Sequence, residues 1–259
     1  MLALTSFTAG FAPMATAVAP RVVFSSSIKM ETVADLKKLA NELNPILGYW
    51  NPLGLADDNH MGLGFQGNLW EKDQAETIGW FRQAEIKHGR VAMFGFVGYL
   101  VQSAGVHWPW DITPGHPFAE ISAAGGPGDQ WDALPANAKW QIILFAGLME
   151  IFGEAAPRID GTPHYMRGGK PGYFPSLKKA VPHPVPLDYF DPLGFSKNKT
   201  PEQKARGLLV ELNNGRAAML GLLGCLSVSK GCIVPGLDTL PIAPYAGEYM
   251  KPFETGFGF

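Results

Sequence analysis

The chain has 259 residues and a formal net charge of −2 at pH 7, which gives no reason to expect a nucleic-acid partner. Hydrophobic residues make up 46% of it, and a mean hydropathy of +0.02 does not by itself indicate a membrane protein, although long polar loops would dilute any apolar spans. Two cysteines, Cys225 and Cys232, are too few for a disulfide framework, so we expect them to be packing residues.

The first 30 residues have the composition of a plastid-targeting segment. They contain no acidic residue, carry positive charge only at Arg21 and Lys29, and are rich in Ala, Ser and Thr. An ordinary disordered N-terminus is the alternative. We therefore exclude residues 1–30 from the fold and expect residues 31–259 to form one domain.

A short amphipathic helix and a turn motif come next. Residues 31–44 place four apolar side chains on one side of a helix, at Val33, Leu36, Leu39 and Leu43. Residues 50–55 read Trp-Asn-Pro-Leu-Gly-Leu, and residues 190–195 repeat this as Phe-Asp-Pro-Leu-Gly-Phe. A generic Pro-Gly turn is the simple interpretation of either copy. The duplication indicates that the turn belongs to a larger repeated unit.

Three segments are predicted to be membrane-spanning helices, at about 75–103, 137–156 and 202–229. They are rich in Gly, Ala, Leu and Met rather than in strand-type residues. The apolar portions of the first and third are short for a bilayer span of about 20 residues, so their charged first turns must lie inside the membrane. Residues 105–138 contain no Lys or Arg, whereas residues 158–206 contain many, which places these two connections on opposite sides of the membrane.

The first and third segments contain two similar sixteen-residue stretches, at 85–100 and 211–226, with a constant offset of 126 residues (211 − 85). Glu, Gly, Arg, Ala, Met, two further Gly and a Leu recur in register. Such self-similarity indicates two copies of one helical unit. The third segment also has a start signal, because Thr200 can cap the helix and Pro201 suits its first position.

The charges of the repeated stretch predict how the two helices pack. A lone charge in hydrocarbon costs on the order of 3 kcal/mol or more, so each charge needs a partner. Glu85 and Arg90 lie roughly 140° apart on one helix and cannot pair well, but two-fold packing would bring Glu85 to Arg216 and Glu211 to Arg90. Small residues beside each Glu would permit the close approach: Gly89 and Ala92 in the first copy, Gly215 and Ala218 in the second.

The same motif offers four candidate metal ligands. An Arg partner uses only part of the acceptor capacity of Glu85 and Glu211, and His88 and Asn214 lie about 60° further round the same helices. These donors project from different faces, which suits several metals that each need one axial ligand, as chlorophyll magnesium does. A di-iron bundle would also use such a motif, although Asn214 is a poor iron ligand. Repeats with buried charges also occur in transporters, and a bundle held by ion pairs without any cofactor is a further possibility.

The pattern Glu-x-x-His/Asn-x-Arg on two related helices resembles the light-harvesting chlorophyll-binding antenna family, over nearly the whole chain after residue 45. The resemblance implies an all-α membrane protein with three transmembrane helices, the first and third crossed about a pseudo-two-fold axis, plus short amphipathic helices. Glu150 has no obvious Arg partner, and Glu154 is expected to be solvated. The resemblance implies six axial chlorophyll ligands: Glu85, His88, Gln141, Glu150, Glu211 and Asn214. It implies that Arg90 and Arg216 neutralise the Glu ligands.

Two further stretches carry a closer resemblance, the Gly-rich loop at 163–175 and Lys-Trp-Gln-Ile-Ile-Leu-Phe at 139–145. They resemble the chlorophyll a–c antennas of red-lineage algae, and most of all the membrane-intrinsic peridinin–chlorophyll proteins of dinoflagellates. This resemblance implies chlorophyll a, chlorophyll c and a carotenoid (peridinin or fucoxanthin, with diadinoxanthin) as cofactors. The two Pro-Leu-Gly turns would hold the ends of two carotenoids.

The expected function is a non-enzymatic antenna that passes excitation energy to a photosystem, with a photoprotective, energy-dissipating member of the family as the alternative. The expected partners are a photosystem I or II core, other antenna subunits and thylakoid lipid, without a nucleic acid or a small-molecule substrate. The expected location is the plastid thylakoid membrane, with the N-terminus in the stroma and residues 105–135 in the lumen.

Overall fold

The computed structural model of the chain describes residues 31–56, 73–180, 184 and 191–229. Its architecture is mainly helical, with two long helices, one of intermediate length and several short ones. A 3₁₀ turn at Tyr165–Arg167 precedes the last short helix. The helices and strands follow one another in this order: α1 (Val33–Leu43), α2 (Gln74–Ser103), β1 (Asp111–Thr113), β2 (His116–Pro117), α3 (Phe118–Ala123), α4 (Pro127–Ala133), α5 (Ala136–Glu154), α6 (Ala156–Ile159), α7 (Leu177–Ala180) and α8 (Pro201–Ser229).

The three longest of these helices, α2, α5 and α8, lie where the sequence predicts them, with ends that differ by two residues at most. The start signal of α8 is confirmed, since the Thr200 hydroxyl accepts a hydrogen bond from the Gln203 N–H and the Gln203 side chain accepts one from the Thr200 N–H. The amphipathic helix α1 starts with a similar capping box between Thr32 and Asp35. The helical part of the predicted fold class is therefore confirmed.

The hydropathy of the helices does not confirm that they span a membrane. Within the described ranges, no helix is both long enough and apolar enough to count as a membrane span. The three transmembrane helices therefore stay a prediction.

A small antiparallel hairpin departs from the predicted all-α class. Strands β1 and β2 pair between α2 and α3, with Thr113 opposite His116. The turn that joins them is Pro114-Gly115, where Gly115 has a φ of +83° that glycine adopts without steric cost. Pro-Gly turns and β-branched Ile112 and Thr113 favour such a hairpin, so this short signal was missed rather than absent from the sequence.

Helices α2 and α8 cross in close contact at a pair of glycines. A Cβ placed on Gly89 would lie 3.0 Å from the Cα of Gly215, and a Cβ placed on Gly215 would lie 2.9 Å from the Cα of Gly89. Such distances leave no room for a side chain at either position. The glycines predicted to lie beside each Glu therefore form the point of closest approach.

The contacts on the C-terminal side of this point have two-fold symmetry. Gly95 faces Leu222 while Gly221 faces the ring of Phe96, each with 3.2 Å between the Cβ position of the glycine and the partner side chain. Under the 126-residue offset these are the same contact made in both directions. Tyr99, equivalent to residue 225 under that offset, donates a hydrogen bond to the carbonyl oxygen of residue 225 itself (3.4 Å). The two copies thus pack about a pseudo-two-fold axis that runs between them.

Much of the apolar surface of the long helices lies outside any protein core. Phe94 of α2 is 83% exposed and Leu220, its equivalent in α8, is 72% exposed. Helix α5 has a single buried residue, Ala138. A monomeric soluble protein rarely exposes so much contiguous apolar surface, which indicates that lipid, ligands or partner subunits cover these helices.

We expect Gly89→Ala to destabilise the protein, although alanine favours a helix more than glycine does. The added methyl group would push α2 away from α8, with an expected cost of about 2 kcal/mol for overpacking a tight contact. The measurement is the thermal melting temperature of the purified protein. Gly98→Ala is the matched control, because a Cβ at Gly98 meets nothing within 4 Å. An equal response of both variants would contradict the crossing at Gly89.

Candidate functional site

Two reciprocal ion pairs lock α2 and α8 together, as the repeated motif predicts. Arg90 Nε lies 2.6 Å from Glu211 Oε1, and Arg216 Nη2 lies 2.6 Å from Glu85 Oε1. Arg90 also donates through Nη1 to the carbonyl oxygen of Gly172 (2.7 Å), which ties the loop after α6 to the crossed pair. The predicted pairing of Glu85 with Arg216 and of Glu211 with Arg90 is confirmed.

The carboxylates of Glu85 and Glu211 differ in whether their second oxygen, Oε2, accepts a hydrogen bond. Glu85 Oε2 receives a further hydrogen bond from Arg82, whose Nε lies 3.1 Å from Glu31 Oε2. Leu208 occupies the position in α8 that corresponds to Arg82, and Glu211 Oε2 has no hydrogen-bond partner in the described part of the chain. Arg82 lies three residues before Glu85 on the same helix but outside the repeated stretch, and helix periodicity does not predict its contact with Glu31.

His88 and Asn214, three residues after these carboxylates, are exposed side chains that can each donate a lone pair to a metal. His88 Nδ1 lies 2.8 Å from the carbonyl oxygen of Ala84, and a carbonyl can only accept, so Nδ1 carries the proton. Nε2 of the neutral ring is then left with its lone pair, which is the usual ligand form of histidine. Asn214, at the equivalent place on α8, is exposed and has no hydrogen-bond partner among the described residues.

The candidate ligands on α5 lie apart from the crossed pair. Gln141 is exposed, and the side chain of Glu150 is 57% exposed. The cation beside Glu150 comes from α2, since Lys87 Nζ lies 2.5 Å from Glu150 Oε2. The sequence shows no Arg partner for Glu150, and its contact with Lys87 was not predicted because helix periodicity does not reveal which face of α2 is directed toward α5.

Glu154 is a structural anchor rather than merely a solvated carboxylate. It accepts hydrogen bonds from Nε2 of His164 (2.7 Å) and from the Tyr165 hydroxyl (3.1 and 3.2 Å to its two oxygens). Burial, together with the nearby Glu154 carboxylate, raises the pKa of Tyr165 to about 12, so the hydroxyl remains a donor at any physiological pH. The 3₁₀ turn that contains Tyr165 is thereby held against the end of α5.

The two Pro-Leu-Gly turns share a hydrogen bond and a glycine with positive φ, although Asp191 itself has a φ of +51° and Asn51 does not have a positive φ. Gly54 and Gly194 have φ values of +63° and +76°, and their N–H groups donate to the carbonyl oxygens of Asn51 (3.2 Å) and Asp191 (3.1 Å). A hydrogen bond from the Ser196 side chain is the main cause that lowers the pKa of Asp191, so this turn keeps its charged acceptor to a lower pH. Each turn presents exposed apolar side chains: Trp50 and Leu53 in the first, Leu193 and Phe195 in the second.

A cavity of about 800 Å³ opens beside both ion pairs. It lies between α1, α2, α8 and residues 170–174, and both Glu85 and Glu211 line it. Its wall is partly apolar, through Leu36, Leu39 and Leu212. A ligand of several hundred cubic ångströms would fit such a space.

The donor set suits flat, apolar ligands with a metal at their centre. Among the described residues no three His, Cys, Asp or Glu side chains converge on one point, so each donor offers a single bond. Exposed apolar side chains surround these donors along the helices: Val91 and Phe94 in α2, Leu148 and Ile151 in α5, Leu220 and Leu223 in α8. The fold and the donors define a class of protein, a crossed-helix scaffold that offers isolated axial ligands on an apolar surface.

Comparison with known proteins gives the family. The chlorophyll A-B binding protein family model matches residues 35–230. Fucoxanthin-chlorophyll a-c binding protein A of Phaeodactylum tricornutum is 32% identical over 222 residues, which is 83% of this chain and 93% of that protein. The fucoxanthin-chlorophyll a-c binding protein of Trieres chinensis is 32% identical over 187 residues (70% of this chain and 73% of that protein), and protein F of Macrocystis pyrifera is 28% identical over 206 residues (78% and 76%).

The chain therefore belongs to the chlorophyll a-b binding protein family, whose members are non-enzymatic light-harvesting antennas. The resemblance to this family read from the repeated motif is confirmed. Membership decides against a di-iron bundle, a transporter and a cofactor-free bundle. The closer resemblance to the peridinin proteins of dinoflagellates stays a prediction.

We expect Arg90→Leu to destabilise the protein more than Arg216→Leu. Loss of Arg90 leaves Glu211 without a cation and removes the donor to the Gly172 carbonyl oxygen, whereas loss of Arg216 leaves Arg82 on Glu85. An uncompensated charge in hydrocarbon costs about 3 kcal/mol or more. The measurement is the melting temperature and pigment content of the reconstituted protein.

The double variant Arg90→Leu/Glu211→Leu is the control for charge. It should recover part of the lost melting temperature, because no unpaired carboxylate remains, but not the pigment, because the Glu211 carboxylate is removed as well. Full pigment content and unchanged melting in Arg216→Leu would contradict the ion-pair argument for Glu85.

Proposed function

We propose that the protein is an antenna that binds chlorophyll a, chlorophyll c and carotenoid and passes excitation energy to a photosystem. The observation that carries this proposal is the pair of crossed helices on which each Glu is neutralised by the Arg of the other helix. Such a carboxylate can serve as a neutral axial ligand inside an apolar layer. The names of the fucoxanthin-chlorophyll a-c binding relatives support the choice of pigments.

In this proposal each ligand residue holds one pigment and fixes its position. Glu85, His88, Glu211 and Asn214 bind on the crossed helices, and Gln141 and Glu150 bind on α5. Arg90 and Arg216 keep the Glu ligands charge-compensated and oriented. Bound chlorophyll supplies light absorption and excitation transfer. Because excitation transfer depends on separation and orientation, the contribution of the chain is a rigid crossing that holds these donors at constant distances.

The carotenoids are assigned to the two Pro-Leu-Gly turns. Both turns contain the same hydrogen bond to a glycine N–H and expose apolar side chains. The relatives favour fucoxanthin, while the loop at 163–175 favours peridinin, with diadinoxanthin as a further carotenoid. The expected common feature is an elongated apolar molecule whose ends lie against these turns.

We place the protein across the plastid thylakoid membrane, with α2, α5 and α8 as the three spans. At 1.5 Å per residue, α2 is about 45 Å long and α5 about 28 Å long, and a bilayer core is about 30 Å thick. The charges inside α2 and α8 are paired, and the apolar surfaces are exposed. The distribution of Lys and Arg supports a stromal N-terminus. A photosystem I or II core, other antenna subunits and thylakoid lipid are the proposed partners.

The proposal predicts that the natively purified protein is coloured. Pigment extraction followed by chromatography should yield chlorophyll a, chlorophyll c and a major carotenoid, and the carotenoid peak will decide between fucoxanthin and peridinin. A colourless protein that is stably folded would contradict the proposed function.

We expect His88→Leu to lose one chlorophyll per protein, because leucine offers no lone pair to replace Nε2. His88→Asn, which copies the residue at position 214, should retain the full complement. His107→Leu is the control, since His107 is an exposed histidine after the end of α2 and no ligand role is assigned to it. Pigment stoichiometry is the measurement, and equal losses in the His88→Leu and His107→Leu variants would contradict the assignment.

A further inference from the structure

Lys87 is a charged residue of the repeated stretch with no charged counterpart in the second copy. The equivalent residue in α8 is Asn213, a neutral amide whose Nδ2 lies 3.5 Å from the carbonyl oxygen of Leu43. On α2, Lys87 lies about 160° round the helix from Glu85, so it is directed away from the α2–α8 interface. This break in the repeat therefore serves something other than the crossing.

The partner of Lys87 is on α5. Its Nζ lies 2.5 Å from Glu150 Oε2 and 3.9 Å from Glu154 Oε1. Glu154 already accepts hydrogen bonds from His164 and Tyr165, which hold it without Lys87. The close contact with Glu150 is thus the one that depends on Lys87.

Glu150 has no nearby source of positive charge on its own helix. The sequence of α5 contains one basic residue, Lys139, which lies eleven residues away and donates to the carbonyl oxygen of Asp132 (3.1 Å). Glu150 Oε1 has no hydrogen-bond partner among the described residues. One oxygen of Glu150 therefore contacts a cation while the other stays available, which is also the arrangement of Glu211 with Arg90.

We infer that Lys87 is the positioning residue of the pigment site at Glu150, where it takes the role that the partner-helix arginines have at Glu85 and Glu211. This inference rests on the proposed function, in which Glu150 is an axial ligand. Lys87 supplies the charge that lets a carboxylate bind a neutral pigment in an apolar layer, and it orients Glu150 with one oxygen free. Lys87 also connects the ligand on α5 to α2, so that one helix sets the geometry of both groups of pigments.

The test compares Lys87→Met with and without Glu150→Gln in the full chain reconstituted with extracted pigments. Lys87→Met should lose one chlorophyll per protein, because Glu150 is then an uncompensated anion. Glu150→Gln should keep the full complement, since a carboxamide oxygen is a neutral ligand that needs no cation. The double variant should therefore regain the pigment that Lys87→Met loses, and Lys87→Arg should keep it throughout.

The measurement is chlorophyll per protein by chromatography, with the absorption difference spectrum as a second readout. A full complement in Lys87→Met, or a double variant as deficient as Lys87→Met, would overturn the inference. Lys139→Met is the control for loss of a lysine at α5. Glu150→Ala tests the ligand role of Glu150 separately from the positioning role of Lys87. If it loses one chlorophyll while Lys87→Met loses none, the inference alone fails, and if it loses none, the ligand role of Glu150 fails as well.

Discussion

An ionised side chain in an apolar layer must have a counter-charge, and the arrangement of this protein follows from that requirement. Neither Glu85 nor Glu211 can satisfy it through the arginine of its own repeat, so each takes the arginine of the other. The two helices are therefore needed together, and neither is a complete unit alone. In the proposed function, the same requirement would make the Glu211 carboxylate a usable ligand only once the two helices have crossed, which would couple folding to the formation of the site.

The ion pairs also depend on how closely the helices approach. Gly89 and Gly215 permit backbone contact, and each glycine lies one helical turn from the Glu of its own helix. A larger residue at the crossing would move both carboxylates away from their arginines at once. Packing and electrostatics are thus two effects of one local sequence, and a change at either glycine should affect the ligand geometry as well as the stability.

The crossing of α2 and α8 and its two ion pairs could be predicted because the residues that form them belong to a sequence repeat. The 126-residue offset identifies which residues are equivalent, and helix periodicity identifies which of them share a face, so the pairs Glu85–Arg216 and Glu211–Arg90 follow without a structure. The contacts of Lys87 with Glu150 and of Arg82 with Glu31 were missed because both partners lie on elements outside the repeat. Periodicity describes the faces of one helix and carries no information on which other element covers each face. The β1–β2 hairpin was missed for a different reason, since its strands are too short to show alternation.

The departures from symmetry show how a two-fold core accommodates a chain that is not two-fold. Helix α5 has no copy, and where its Glu150 contacts α2, Lys87 stands at the position that Asn213 occupies in the second repeat. Arg82, which contacts Glu31 just before α1, likewise corresponds to Leu208. In both cases the extra cation belongs to the copy that contacts an unrepeated element. Comparing the two halves of the chain therefore distinguishes residues that maintain the crossing, which recur, from the cations Arg82 and Lys87, which contact unrepeated elements and do not recur.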